Sequence, residues 1–166
     1  MIRLANENEL TVLKDMFWTH ISSHPEYISH GEMQMGVCKA VVKDGGIYGQ
    51  PAEKGQEMWM KYIMGKFMSE DARIVVAEED GRICGFCVTE ITDDGADQFG
   101  VLCDILVEAS FRGKGYGRQL FDAAIEWFQS KGVADIYLES GKWNEEAHKF
   151  FLRLGFCNVS EIFKLK

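Results

Sequence analysis

Apolar positions along the chain alternate between two rhythms, and each rhythm predicts an element. Ile2 to Leu4 can form a short strand. Leu10, Leu13, Met16 and Phe17 then recur at helical spacing, with Asn6 placed as an N-cap. Trp59, Ile63 and Phe67 share one side of a second helix predicted over Glu57 to Met68. Between them no period holds and "KDGGIYGQ" reads as a turn-rich loop, so residues 24–55 are expected to be an irregular insertion between two helices. The runs "ARIVVAEED" and "RICGFCVTEIT" read as strands joined at Glu79-Asp80-Gly81 by a tight hairpin. "DDGAD" at 93–97 makes the next turn, and Val101 to Val107 the next strand. A helix is predicted from Tyr116 to Lys131, ended by Gly132. "VADIYLES" is another strand, Glu145 to Leu154 another helix stopped by Gly155, and two short strands are expected to close the chain. Hairpins first and strand–helix alternation afterwards predict an α/β chain with a mixed sheet flanked by helices. No repeat or low-complexity tract divides it, so a single domain over 1–166 is expected.

Composition narrows the function. The 166 residues suffice for a real core, and 46% apolar with 27% charged residues is ordinary for a globular protein. No apolar run approaches the ~20 residues of a membrane span. "MIRLANENEL" has no basic region followed by an apolar stretch, so a cytoplasmic protein without a membrane partner is expected. A net charge of -8 argues against a duplex nucleic-acid binder, which needs clustered Lys and Arg, and suits a cationic substrate better. The odd number of cysteines argues against a disulfide framework. "CGFC" at 84–87 lies in a strand-like run whose alternation sends the two thiols to opposite faces, unlike a redox pair at a helix N-terminus. His20 and His24 have a zinc-compatible spacing without an evident third ligand, and "DDGAD" lacks the later glutamate of a calcium loop, so no metal is expected.

The chemistry concentrates at Arg112 to Arg118, "RGKGYGR", where a strand hands over to a helix. Glycines there let the backbone take φ > 0 and let a ligand approach the amides. Successive N–H groups before a helix form an anion nest, reinforced by the helix dipole and by Arg112, Lys114 and Arg118. A phosphate or pyrophosphate is the natural guest. No Ser or Thr follows Lys114 as a magnesium-holding P-loop requires, and the third glycine comes one residue early for a dinucleotide fingerprint. "DILVEASFRGKGYGRQLFDAA" instead resembles the acetyl-coenzyme A loop of the GNAT (N-acetyltransferase) superfamily, Arg/Gln-x-x-Gly-x-Gly/Ala, at Arg112, Gly115 and Gly117. "NEEAHKFFLRLGF" resembles the family's second element at Asn144, Ala147, Phe150-Phe151 and Gly155-Phe156.

The resemblance covers Val101 to Cys157 and, more weakly, the hairpin at 73–92. It implies a GNAT-like, mostly antiparallel mixed sheet of about six or seven strands flanked by about four helices. It also implies a splay between the strands at 101–107 and 133–139, with 1–70 as a variable acceptor-side region and 71–166 as the acetyl-CoA-binding core. By position, the amides of Gly113, Lys114, Gly115, Tyr116, Gly117 and Arg118, with Arg112, would hold the pyrophosphate. Backbone groups of Ile105, Leu106 and Val107 would pair with the pantetheine arm in the manner of an added strand. Asn144 would bond to the arm and Phe151 would line the thioester.

Acetyl transfer to a primary amine needs a carboxylate to take the ammonium proton. Glu139 resembles the catalytic glutamate of several family members; Asp104 on the splayed strand could orient a cationic acceptor, pair with an arginine or be merely exposed, and Glu90 is a weaker candidate. Many family members carry a proton-donating tyrosine where this chain has Phe151, so water, Ser140 or Tyr137 would have to substitute, or the thiolate leaves unaided. The expected function is acetyl-CoA-dependent N-acetyl transfer to a small-molecule or peptide amine by direct attack in a ternary complex. The alternatives are a non-catalytic CoA-binding module and an acyltransferase using a longer acyl-CoA. Dimers are common among proteins that look like this one, so a homodimer is possible.

Overall fold

A computed structural model describes residues 1–165 apart from 45, 94 and 96. In chain order the first elements are β1 (Ile2–Leu4), α1 (Leu10–Ser23), α2 (His30–Gln34), β2 (Cys38–Lys43), β3 (Gly46–Pro51) and α3 (Gly55–Met68). There follow β4 (Ala72–Glu79), β5 (Arg82–Asp93), β6 (Gln98–Val107), α4 (Tyr116–Ser130), β7 (Ile136–Leu138) and α5 (Glu145–Arg153). The chain divides into two compact units, Met1–Phe17 with Met60–Leu138, and Trp18–Trp59 with the segment from Glu139 onward.

The first unit is built on a five-stranded sheet in the order β1-β4-β5-β6-β7. Its strand pairs are antiparallel except β6 with β7, so the sheet is mixed as expected. The β4–β5 hairpin turns at Asp80 (φ 50°) and Gly81 (φ 77°), the two left-handed residues that a type I′ turn requires. Cys84 and Cys87 are buried strand residues and neither forms a disulfide. Burial pushes both thiols up, so the redox reading of "CGFC" is set aside. Helix α4 buries Leu120, Phe121, Ala124, Trp127 and Phe128, a stripe at helical spacing. Phe128 packs over Gly100, where an added Cβ would come within 2.6 Å of its ring. Each such large side chain contributes ~1.5–3 kcal/mol of burial.

The second unit corrects the expectation for residues 24–55. That stretch is not irregular: it holds α2 and an antiparallel pair, β2 with β3, in register from Cys38↔Pro51 to Lys43↔Gly46. Of "KDGG", Lys43 ends β2 and Gly46 begins β3, with Gly45 outside the described residues, and "GIYGQP" is itself a strand. The expected sheet of six or seven strands is therefore a five-stranded sheet and a separate two-stranded one. The closing strands are also absent among the described residues. Residues 154–165 carry no strand, and Phe163 and Leu165 are 87% and 92% exposed. An apolar alternation alone does not make a strand; a partner backbone does. The "DDGAD" turn lies partly outside the described residues, at 94 and 96.

Candidate functional site

The glycine loop begins where β6 ends. Ala109–Phe111 makes one turn of 3-10 helix, Gly113 and Gly115 follow at φ 79° and 85°, and Gly115 is the N-cap of α4. Gln119 donates to the Gly115 carbonyl at 3.1 Å. Among the described residues none accepts a hydrogen bond from the amides of Gly113 to Arg118. Those N–H groups surround the positive end of a helix 15 residues long. The Cβ position of Gly113 is open, so the loop is accessible to a ligand.

The cations of the loop are engaged within the fold. Arg112 donates from Nε to the Val107 carbonyl at 3.0 Å, and Arg118 pairs with Asp122 at 2.8 Å. Lys114 pairs with Glu79 at 2.8 Å, and its Nζ lies 4.8 Å from the centre of the Phe111 ring. The Tyr116 hydroxyl donates to the same Glu79 carboxylate at 3.0 Å. Lys114, above all, holds the Glu79 carboxyl below its ordinary range.

The edge of β6 changes character along its length. Gly100, Val101 and Leu102 pair with Ile136, Tyr137 and Leu138 of β7. Beyond Leu102 no strand among the described residues pairs with β6 on that edge, while β5 continues along the other as far as Val107. The expected splay thus appears as a strand pairing that stops early. Ile105, Leu106 and Val107 are half-buried there. Asp104 accepts a hydrogen bond from the Tyr62 hydroxyl at 2.7 Å. Burial, and secondly the Asp104 charge, raise the Tyr62 phenol well above its ordinary pKa. The neighbouring Cys103 thiol is pushed up to about 12, again chiefly by burial. Glu90 is the ion-pair partner of Lys66. Sequence reasoning missed Tyr62, because the apolar stripe of α3 drew attention to Trp59, Ile63 and Phe67. The available signal was Tyr62 and Lys66 four residues apart on another face.

Glu139, Asn144 and Phe151 belong to the second unit. The Glu139 carboxylate accepts from the Gly31 amide at 2.8 Å, in the first turn of α2, and lies 3.9 Å from His30 Nδ1. Ser29, the N-cap of that helix, donates its own amide to Glu32 at 2.7 Å. Asn144 is the N-cap of α5 and its Oδ1 accepts from the Ala147 amide at 3.3 Å. Phe151 is 8% exposed, packed edge-on against Phe150 and Phe156. Of the substitutes for a proton donor, Ser140 is half-buried, while Tyr137 is exposed and meets Phe99 edge-on. His24 stacks on Tyr27 with ring centres 4.8 Å apart, and His20 meets both rings at a tilt. Among the described residues no group of three or more His, Cys, Asp or Glu could hold a metal ion. No described helix is long and apolar enough to cross a membrane.

Known proteins are similar to this chain in sequence and in fold. An uncharacterized N-acetyltransferase of Bacillus subtilis, YhdJ, is 34% identical over 64 residues, 38% of this chain and 45% of that protein. The N-alpha-acetyltransferase 30 of Schizosaccharomyces pombe is 24% identical over 110 residues, 65% of this chain and 73% of that protein. The mycothiol acetyltransferase of Propionibacterium freudenreichii is 35% identical over 89 residues, but only 28% of its length is matched. The chain thus spans less than half the length of the first and third of these relatives. Among solved structures, the aminoglycoside N-acetyltransferase AAC(6')-Iy in complex with CoA superposes with a TM-score of 0.69 at 19% identity, covering 100% of this chain and 93% of that one. The family model described as "Acetyltransferase (GNAT) family" matches residues 45–156, more than half of the sequence, and the chain therefore belongs to the acetyltransferase (GNAT) family.

Proposed function

We propose that this chain is an acetyl-CoA-dependent N-acetyltransferase acting on a primary amine, of a small molecule or a protein terminus, by direct attack in a ternary complex. The observation that carries the reading is the run of amides from Gly113 to Arg118, which have no internal acceptor among the described residues and cap a long helix. A diphosphate fits such a donor set, each charged hydrogen bond being worth ~1.5–3 kcal/mol. Residues 71–166 hold the coenzyme in this reading and residues 1–70 select the acceptor. Relatives that modify amines, such as the [Ribosomal protein bS18]-alanine N-acetyltransferase of Escherichia coli, support the reaction class. Free cysteines, among them the exposed Cys157, speak for a cytoplasmic setting.

When bound, acetyl-CoA supplies the acetyl group as an activated thioester. The loop amides fix the diphosphate, and backbone groups of Ile105 and Leu106 flank the arm along the open edge of β6. The Val107 carbonyl already accepts from Arg112, so that position contributes less. Asn144 turns its side-chain NH2 to the arm while its oxygen caps α5. Glu139 or Asp104 takes the ammonium proton, leaving a neutral nitrogen that attacks. The new C–N bond replaces the C–S bond, the nitrogen gives its second proton to water, and the departing thiolate takes a proton from water, because Phe151 has none to give. That same phenylalanine favours the second reading, a CoA-binding module without turnover. Free-thiol release from acetyl-CoA with a panel of amines separates the two. Acceptor-dependent thiol is expected; CoA binding without it would establish the module instead.

A further inference from the structure

A groove of about 390 Å³ opens at the β1 edge of the sheet, between β1, the beginning of β4 and the second half of α4. Ile2, Leu4, Val75, Ala123 and Trp127 give it an apolar lining, and Arg73 supplies a guanidinium. Its size is that of an ordinary small-molecule site. It is distinct from the places described above, because β5 separates β4 from the open stretch of β6 and the glycine loop precedes the first turn of α4. Arg73 is what the fold leaves unsatisfied there. Arg3, Arg82 and Arg118 each pair with a carboxylate, and Arg112 donates to the Val107 carbonyl. Arg73 is half-buried, and among the described residues its guanidinium meets only the Trp127 ring, whose centre lies 5.7 Å from Cζ. A ring face attracts the charge but offers no lone pair to five N–H donors, and burying such donors unpaired is costly. The chain has 26 acidic residues against 18 basic ones, yet none of those described is placed on this cation. The surroundings select the charge of a guest. Arg3, the other cation of the lining, already holds Glu9 and Glu78, and the exposed Glu126 adds a further carboxylate. That excess repels a phosphate dianion, whereas a single carboxylate matches the guanidinium fork in charge and shape. The apolar lining is then left for the body of the guest.

We propose that this groove is a second binding site, for a small monocarboxylate with an apolar body, its carboxylate on the Arg73 guanidinium and its body against Trp127. The site does not depend on the N-acetyltransferase reading. Titration calorimetry with phenylacetate, phenylacetamide and inorganic phosphate tests it on the wild type, Arg73→Met and Ala123→Leu, with and without CoA. Methionine keeps an apolar stem for the Trp127 ring and removes the fork; leucine crowds the groove and leaves Arg73 intact. Phenylacetate should bind the wild type at one site, with the same affinity whether or not CoA is present. Arg73→Met should weaken it by at least about tenfold, the loss of a hydrogen bond between charged groups, and Ala123→Leu should weaken it as well. Phenylacetamide and phosphate should both bind the wild type more weakly than phenylacetate does. A wild type that takes up no phenylacetate would overturn the proposal, as would affinity unchanged in Arg73→Met or phosphate bound as tightly. Competition with CoA would put the probe on the coenzyme site and overturn it too. If Arg73→Met does not fold, the other two comparisons decide: phenylacetate affinity unchanged in Ala123→Leu, or matched by phenylacetamide in the wild type, counts against the proposal.

Discussion

At φ 85°, Gly115 occupies left-handed backbone that an L side chain enters at a cost of about 1–2 kcal/mol. The amides on either side of it have no acceptor among the described residues. Gly115→Val should therefore lower the melting temperature slightly and CoA affinity by at least about tenfold, the worth of a single charged hydrogen bond. Calorimetry and a thermal melt on the same sample check it; full affinity in a folded variant would remove the loop from the coenzyme site. Glu139 poses a different question, because its carboxylate already accepts from the Gly31 amide at 2.8 Å. Glutamine keeps a carbonyl oxygen for that hydrogen bond and loses only the ability to take a proton. Glu139→Gln is thus expected to preserve stability while lowering turnover about 10²-fold or more near neutral pH. An unaltered pH–rate profile would leave Glu139 as a clip on α2 and pass the proton to Asp104.

Where β4 ends, Glu79 ties the strand to the loop by accepting from both Lys114 and Tyr116. The ion pair with Lys114 competes with any diphosphate on the loop. Glu79→Gln should release the ammonium and tighten CoA binding by a few-fold, the modest effect of an exposed pair. Weaker binding would show that Glu79 instead props the loop open. The elements most legible in the sequence were those with a strong local code. The hairpin followed from Asp80-Gly81, α4 from its apolar stripe, and the loop that opens α4 from Gly113 and Gly115, both at positive φ. The elements that stayed hidden depend on partners. Gly46–Pro51 holds two glycines and a proline, poor strand formers, and is a strand because β2 supplies the opposite backbone. Residues 159–165 look strand-like in isolation yet have no such backbone to pair with among the described residues. Around the candidate site, the loop motif was legible and the tie between Tyr62 and Asp104 was not, since that hydrogen bond spans 42 positions.

For the chain as a whole, the acidic balance of -8 and the few well-made ion pairs pull stability in opposite directions as pH falls. Lowering the pH from neutrality first relieves the mutual repulsion of an excess of carboxylates. Against this stands the cluster at the start of the chain, where Arg3 reaches Glu9 at 2.6 Å and Glu78 at 2.6 Å. The Arg3 guanidinium, before any other influence, holds the Glu9 carboxyl below its ordinary 4.5, with the Asn6 amide assisting. A carboxyl whose pKa is depressed on folding contributes stability that is present above 4.5 and is lost as pH falls through the folded value. Stability should therefore hold or rise slightly down to about pH 5 and fall steeply below 4.5. In Arg3→Met that acid limb should flatten, because Glu9 then loses the largest of the influences that hold its carboxyl down and keeps only the smaller one of Asn6, and neutral stability should drop by about 1 kcal/mol for the lost, partly buried pairs. Urea denaturation of both proteins between pH 7 and pH 3 measures the two slopes. Parallel acid limbs would mean that carboxylates elsewhere in the chain govern its acid sensitivity, and that the Arg3 cluster merely joins β1 to β4.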